Sequence, residues 1–253
     1  GTLLYGALSY AIFFATFLYT IGFITGFIVP KNMLETRDDG LLAALAINSG
    51  LIALFALQHS AMARPAFKRW ITRFIPRSVE RSTYVLASSV ALIALLALWQ
   101  PLGGLLWAAE SNVVITVLRV LQFAGFGIVL YSSFLIDHFD LFGLRQVFLE
   151  WRGVEYTDHP FRVPALYRFV RHPLYVGWIL GMCATPVLTG SHLFFAATLT
   201  AYILGATILE ERDLVRHFGD TYRRYQKTTP MLLPRLRPAP LQPVTKDECE
   251  LAA

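Results

Sequence analysis

LLYGALSYAIFFATFLYTIGFITGFIV, residues 3–29, contains no Asp, Glu, Lys or Arg. Wound as an α-helix it reaches about 40 Å, more than the roughly 30 Å hydrocarbon core of a bilayer. Similar stretches recur along the chain. Residues 41–57 are uncharged and run into Gln58-His59-Ser60. Residues 82–109 are uncharged, with Pro101, Gly103 and Gly104 marking the exit. Residues 111–136 carry one charge, Arg119, and residues 174–209 are long enough for a hairpin of two helices with Gly190-Ser191 as the turn. The pattern predicts an all-α fold, a polytopic membrane helical bundle of five to six transmembrane helices. Six spans are counted, the last two short.

Composition agrees. Of 253 residues, 55% are hydrophobic and only 15% charged, against about a quarter charged in soluble domains. The net charge of +5 does not call for nucleic acid, because basic residues beside spans reflect orientation and anionic lipid. Cys183 and Cys249 form neither a metal spacing nor a disulfide framework. The first apolar stretch is too long for a signal-peptide core. No oligomeric state follows from the sequence.

Basic residues fall on one side of this arrangement. Arg64, Lys68, Arg69, Arg73, Arg77 and Arg81 lie between the second and third spans, and Arg145, Arg152, Arg162, Arg168 and Arg171 follow the fourth. More follow the last span. By the positive-inside rule that side is the cytoplasm. This predicts an inner (cytoplasmic) membrane protein with both termini inside.

Arg171-His172-Pro173-Leu174-Tyr175-Val176-Gly177 stands where a long polar loop becomes the fifth span. Proline is well placed in a first helical turn, where its missing N–H costs nothing. The free N–H groups and dipole of that helix end suit a carboxylate, and Gly177 would let a ligand approach closely. The last span ends in Glu210-Glu211, and Tyr222 and Tyr225 follow at a spacing that shares a helix face. Charges abutting an apolar span are costly unless solvated or paired. Taken singly, Arg171 could be a lipid anchor and the tyrosines an interfacial belt.

Together these pieces resemble the isoprenylcysteine carboxyl methyltransferase superfamily of membrane enzymes. The resemblance rests on R-H-P-x-Y-x-G, a hairpin, E-E and F-G-x-x-Y-x-x-Y before a proline, and covers roughly residues 167–234. It implies S-adenosylmethionine bound between the hairpin and the C-terminal segment. Arg171, His172, Pro173, Leu174, Tyr175, Gly177, Glu210, Glu211, Tyr222 and Tyr225 would line or brace that site, a cytoplasmic C-terminal cofactor cap.

Three further segments lie at the same ends of spans two, three and four: Leu57-Gln58-His59-Ser60, Glu80-Arg81-Ser82-Thr83-Tyr84, and the run Asp137-His138-Phe139-Asp140-Leu141-Phe142-Gly143-Leu144-Arg145-Gln146. With the C-terminal motif they look like the bacterial methanethiol S-methyltransferases, and more loosely like the NnrU-like membrane proteins. This resemblance covers most of the chain and implies a small thiol substrate. A thiolate is the effective nucleophile, and an alkyl thiol ionises above the ~8.5 of cysteine, so the site needs a base or a positive field. His59, His138 and Asp137 are the candidate bases. Arg81 or Arg145 is the candidate to stabilise the thiolate, and Tyr84 to hydrogen-bond the sulfur or relay its proton. The organisation expected is residues 1–136 as helices one to four on the substrate side and 137–172 as a loop contributing to the site. Residues 173–234 form the hairpin and cofactor segment, and 235–253 a disordered tail.

Other classes stay open at this level. They include methylation of another small or lipidic thiol or carboxylate, and a non-catalytic NnrU-like protein. A nicotinamide reductase of related fold is disfavoured by Pro173. Asp-His at 137–138 and again at 158–159 is the only hint of metal, and the six histidines form no H-x-x-H-H cluster, so no metal is expected.

Overall fold

In the computed structural model, residues 1–157 and 160–238 are described; Asp158, His159, Cys249 and the rest of the tail beyond residue 238 lie outside them. Among the described residues, five helices are long and apolar enough to cross a membrane: α1 (Thr2–Thr25), α2 (Leu41–Ala63), α4 (Arg77–Leu98), α5 (Asn112–Leu135) and α9 (Gly190–Phe218). A short α3 (Pro65–Ile71) follows α2. The loop after α5 carries α6 (His138–Leu141), α7 (Leu144–Trp151) and one 3-10 turn (Ala165–Arg168). Then come α8 (Pro173–Cys183) and, after α9, α10 (Asp220–Thr228). This is the all-α polytopic membrane bundle that the uncharged runs predict. Its outer faces are apolar and uncovered, as at Leu42, Leu54 and Leu57 of α2, which suits a solvent of lipid tails.

The five long helices fall within the five to six expected, and the remaining apolar stretch forms a shorter helix. Helix α8 has 11 residues, about 16 Å of helix, and β2 (Val187–Thr189) follows it before α9. The turn is not at Gly190-Ser191. Gly190 opens α9, and a Cβ there would stand 2.4 Å from the Leu102 carbonyl oxygen. Ser191 Oγ accepts from Leu102 N at 2.7 Å. Thr189 caps α9 by accepting from His192 N at 3.2 Å. β2 pairs antiparallel with β1 (Leu105–Ala108), which joins α4 to α5. The glycine is required by this packed crossing of two loops.

Helix α8 lies tightly along α5. A Cβ on Gly125 would be 2.5 Å from Gly181 N, and one on Gly177 would be 2.6 Å from Gly125 O. Gly177 and Gly181 are four residues apart, the small-residue spacing that lets membrane helices approach. Below this crossing the core is aromatic: Trp99, Phe23 and Phe195 are fully buried, with Trp99 and Phe195 edge to face at 5.4 Å between centroids. The strand-joined loops close one end of the bundle. The other end receives the C-terminus of α2, the N-termini of α4 and α8, and the last turns of α9.

Candidate active site

The open end holds two polar groups side by side. The first is a brace. Arg171, just before α8, donates from Nε to Glu211 Oε1 at 2.6 Å and from Nη2 to Oε2 at 3.1 Å. Its Nη1 reaches the carbonyls of Gln226, at 3.1 Å, and Thr229. Glu211 also accepts from His172 Nε2 at 3.0 Å, Gln226 Nε2 at 2.9 Å and Tyr222 Oη at 3.4 Å. A carboxylate has about four lone-pair sites, so Glu211 is saturated. The backbone joins in: Arg171 N donates to Pro230 O and His172 N to Met231 O. Tyr225 Oη donates to Tyr167 O at 2.6 Å. Burial pushes the Tyr222 phenol up, and the Glu211 carboxylate pushes it further, so it stays a donor. Burial does the same to Tyr225.

Glu210, the neighbouring residue, behaves differently. Successive helical residues point about 100° apart, and Glu210 turns away from the brace. It accepts from Tyr175 Oη at 2.7 Å, and its side chain stays 43% exposed against 11% for Glu211. Tyr175 stacks on His172 at 5.5 Å between ring centroids. Pro173 occupies the first turn of α8, and Leu174 beside it is half-buried.

The second group lies between α2 and α4. Tyr84 Oη is 2.9 Å from His59 Nε2 and 3.1 Å from Nδ1. Ser88 Oγ is 3.2 Å from His59 Nδ1. The Arg81 guanidinium sits 5.7 Å from the centre of the Tyr84 ring. Tyr202 of α9 closes one side, its hydroxyl 3.0 Å from Ser60 Oγ, with Phe55 edge-on to it. The two groups meet: Arg81, Tyr202 and Glu210 all lie close enough to act electrostatically on Tyr84, and Glu210, Tyr84 and Tyr202 on Tyr175.

Sequence-predicted residues divide accordingly. His59, Arg81, Tyr84, Tyr175 and Glu210 come together. Arg171, His172, Glu211, Tyr222 and Tyr225 form the scaffold behind them. At Gly177 the close approach is made by α5, whose backbone fills the space before its Cα. The structure places His138, a candidate base, against α1 and α5. Its Nε2 is 2.8 Å from Tyr10 Oη, its Nδ1 2.8 Å from Ser133 Oγ, and it is buried against Phe134 and Phe142. Burial lowers its pKa, with Asp137 opposing. Arg145, a candidate to stabilise the thiolate, lies in α7. It is held by Asp140 at 3.0 Å and the Thr157 carbonyl, stacked over Tyr156. Asp137 caps α6 by accepting from Asp140 N at 3.1 Å. These three hold the loop after α5. Among the described residues no three His, Cys, Asp or Glu side chains gather as a metal site.

The sequence reading missed Ser88, Tyr202 and Gln226. Ser88 is four residues from Tyr84 and Tyr202 eight from Glu210, so both share helix faces with chosen residues. That spacing was the available signal.

Comparison with known proteins bears on the whole chain. The protein of Crocosphaera subtropica called methanethiol S-methyltransferase is 49% identical over 232 residues, covering 92% of this chain and 91% of its own. The protein of the same name in Mycobacterium tuberculosis is 46% identical over 233 residues, covering 92% and 96%. Nurim of Sus scrofa is 31% identical over 189 residues, covering 70% and 71%. No family model matches the chain. No solved structure matches it either. Six relatives of the same name share 46–49% of their residues with it over nine-tenths or more of its length, and the chain belongs to the methanethiol S-methyltransferase family.

Proposed function

We propose that this protein is an S-adenosylmethionine-dependent methyltransferase that converts methanethiol to dimethyl sulfide. The observation that carries the reading is the meeting of Glu210–Tyr175 with His59–Tyr84–Arg81 at one end of the bundle. Family membership supports the substrate. For the donor, Glu210 is an accessible anion set against an aromatic stack, which fits the ammonium or hydroxyl donors of S-adenosylmethionine. The saturated brace behind it fixes its orientation.

S-adenosylmethionine, when bound, supplies a methyl group on a sulfonium. The protein's own residues prepare the acceptor. The thiol gives up its S–H proton, its sulfur forms the new bond to the methyl carbon, and the electrons of the broken carbon–sulfur bond return to the donor sulfur. Dimethyl sulfide, a neutral thioether and one proton result. Arg81 provides a positive field that favours the thiolate. Tyr84 is placed to donate a hydrogen bond to it, and His59 orients Tyr84. Tyr202 and Phe55 wall the acceptor side with aromatic surface suited to a small apolar thiol. Holding both sulfurs in line supplies much of the remaining acceleration.

The basic residues Arg64, Lys68, Arg69 and Arg73 lie in or beside α3, and Arg77 opens α4, next to the site end. By the positive-inside rule the site and both termini then face the cytoplasm. In this reading residues 1–136 shape the thiol side and 173–234 the donor side. The test is purified protein in nanodiscs with S-adenosylmethionine and methanethiol, read as headspace dimethyl sulfide. Product formation supports the proposal. Intact donor binding without product would overturn the substrate assignment.

A further inference from the structure

Arg119 is the one charged residue of α5, and it has no part in the chemistry at the site end. It lies seven residues into the helix, about 10 Å from the helix start, on the side of the closed end of the bundle. Helix side chains lean toward the N-terminus, which here is that same closed end. Arg119 Nη1 accordingly reaches the carbonyl of Thr25, the last residue of α1, at 2.7 Å, and Gln122 Oε1 at 2.9 Å. Both acceptors are neutral. Among the described residues no carboxylate pairs with this guanidinium, and no acceptor meets its Nε or Nη2. A cation inside a span is costly without a counter-charge.

Thr25 also lines a groove of about 500 Å3, formed by the last turns of α1, the turn that follows, and Phe123 of α5, one helical turn beyond Arg119. The groove runs from Ala15 to the turn at Ile28. Ala15 to Thr25 measures about 15 Å along the helix, the depth of one leaflet in a hydrocarbon core of roughly 30 Å. Leu18, Phe27, Ile28 and Phe123 leave its apolar surface open. The outer wall is strained. Ile28 has φ +65°, an unfavourable region for a β-branched residue. Val29 N donates back to Phe27 O at 2.8 Å, closing a γ-turn of the rare, strained kind. Ile28 is 95% exposed, so packing within the fold does not offset that strain. The turn sets Phe27 edge-on to Phe123, 6.3 Å between centroids.

We propose that this groove binds one phospholipid of the leaflet away from the candidate active site, with an acyl chain along α1 and its phosphate on Arg119. Charge and shape together select the occupant. A phosphodiester is the anion that comes attached to acyl chains in the bilayer itself, and a guanidinium fork matches its oxygens. A soluble anion would leave the groove empty, and a bare hydrocarbon would leave the cation unpaired. The site stands apart from the thiol chemistry at the other end of the bundle and rests on none of it.

Native mass spectrometry and thermal melting of the purified protein in detergent test this. The wild type should retain one phospholipid, and added dioctanoyl phosphatidylglycerol should raise its melting temperature in a saturable way. Dioctanoyl glycerol, with the same chains and no phosphate, should bind at least about tenfold more weakly, the scale of one charged hydrogen bond. Arg119→Gln should bind the phospholipid as weakly as the glycerol lipid. Ala15→Trp fills the groove with the arginine left in place and should displace the phospholipid too, which separates a filled site from a misfolded arginine variant. Leu42→Trp, on the exposed face of α2, should bind as the wild type does. Equal affinity of the wild type for the two lipids would overturn the inference. So would wild-type phospholipid binding in Arg119→Gln and Ala15→Trp, or a wild type that neither retains nor takes up phospholipid.

Discussion

The brace around Glu211 and the cluster around His59 stand at the same end of the bundle and use similar side chains, yet their hydrogen-bond accounts differ. In the brace, Glu211 takes five hydrogen bonds, two from Arg171 and one each from His172, Gln226 and Tyr222. In the cluster, Gln58 Oε1 has no hydrogen-bond partner among the described residues, and Tyr84 Oη meets only the ring of His59, at 2.9 Å, among its described hydrogen bonds. A saturated network has nothing left for a ligand and acts as scaffold. An unsaturated one is arranged for a group that arrives later. Glu210, one residue from Glu211 but half-exposed and held by Tyr175 alone among its described hydrogen bonds, belongs with the second kind.

The contrast can be broken most severely at Arg171. Arg171→Ala removes the main partner of a buried carboxylate, an effect of about 3–5 kcal/mol. The protein should lose folded yield and thermal stability in detergent. Arg171→Lys should rescue poorly, because an ammonium cannot reproduce the two-pronged contact. On the other side, Tyr84→Phe removes only a hydroxyl. Its kcat is expected to fall up to about 100-fold, the scale of losing one hydrogen bond to a charged group, here one that favours ionisation of the thiol, with S-adenosylhomocysteine affinity and melting temperature kept. If donor affinity falls instead, Tyr84 belongs to the donor side.

Glu210→Gln sharpens the difference between adjacent residues. It should raise the KM for S-adenosylmethionine about tenfold, the scale of one charged hydrogen bond, and leave the melting temperature nearly unchanged. A large loss of stability would make Glu210 part of the brace. The smallest effect is expected in the loop after α5. Burial depresses the pKa of His138, so the unfolded chain takes up a proton there more readily than the folded one. The contribution of His138 is present above the ordinary histidine value of about 6.5 and is lost as pH falls below it. Comparing melting temperatures of wild type and His138→Gln across that range should show a weaker acid dependence in the variant.

How far the sequence carried this account varies with the kind of interaction. Spans were legible because a bilayer demands long uncharged runs, and residues 3–29 and 111–136 could hardly be anything else. The R-H-P and E-E elements were legible as a pair of neighbours in space. What adjacent residues do was not: Glu210 and Glu211 read alike in sequence, and only the helical turn between them sends one to Tyr175 and the other to Arg171. The Gln58–Ser88 contact joins residues 30 positions apart, and no local pattern encodes it. The turn at Gly190 was misplaced because glycine serves close backbone approach as readily as a turn. No local pattern encodes the surroundings of His138 either, because Tyr10, one of its two partners beside Ser133, lies 128 positions away.

The most direct measurement supplies S-adenosylmethionine bearing a deuterated methyl group to the purified protein together with unlabelled methanethiol. The account predicts dimethyl sulfide carrying one labelled methyl, formed in step with S-adenosylhomocysteine, and greatly slowed by Tyr84→Phe. Labelled donor that binds but passes no methyl to the thiol, or product formed at the same rate without the Tyr84 hydroxyl, would contradict it.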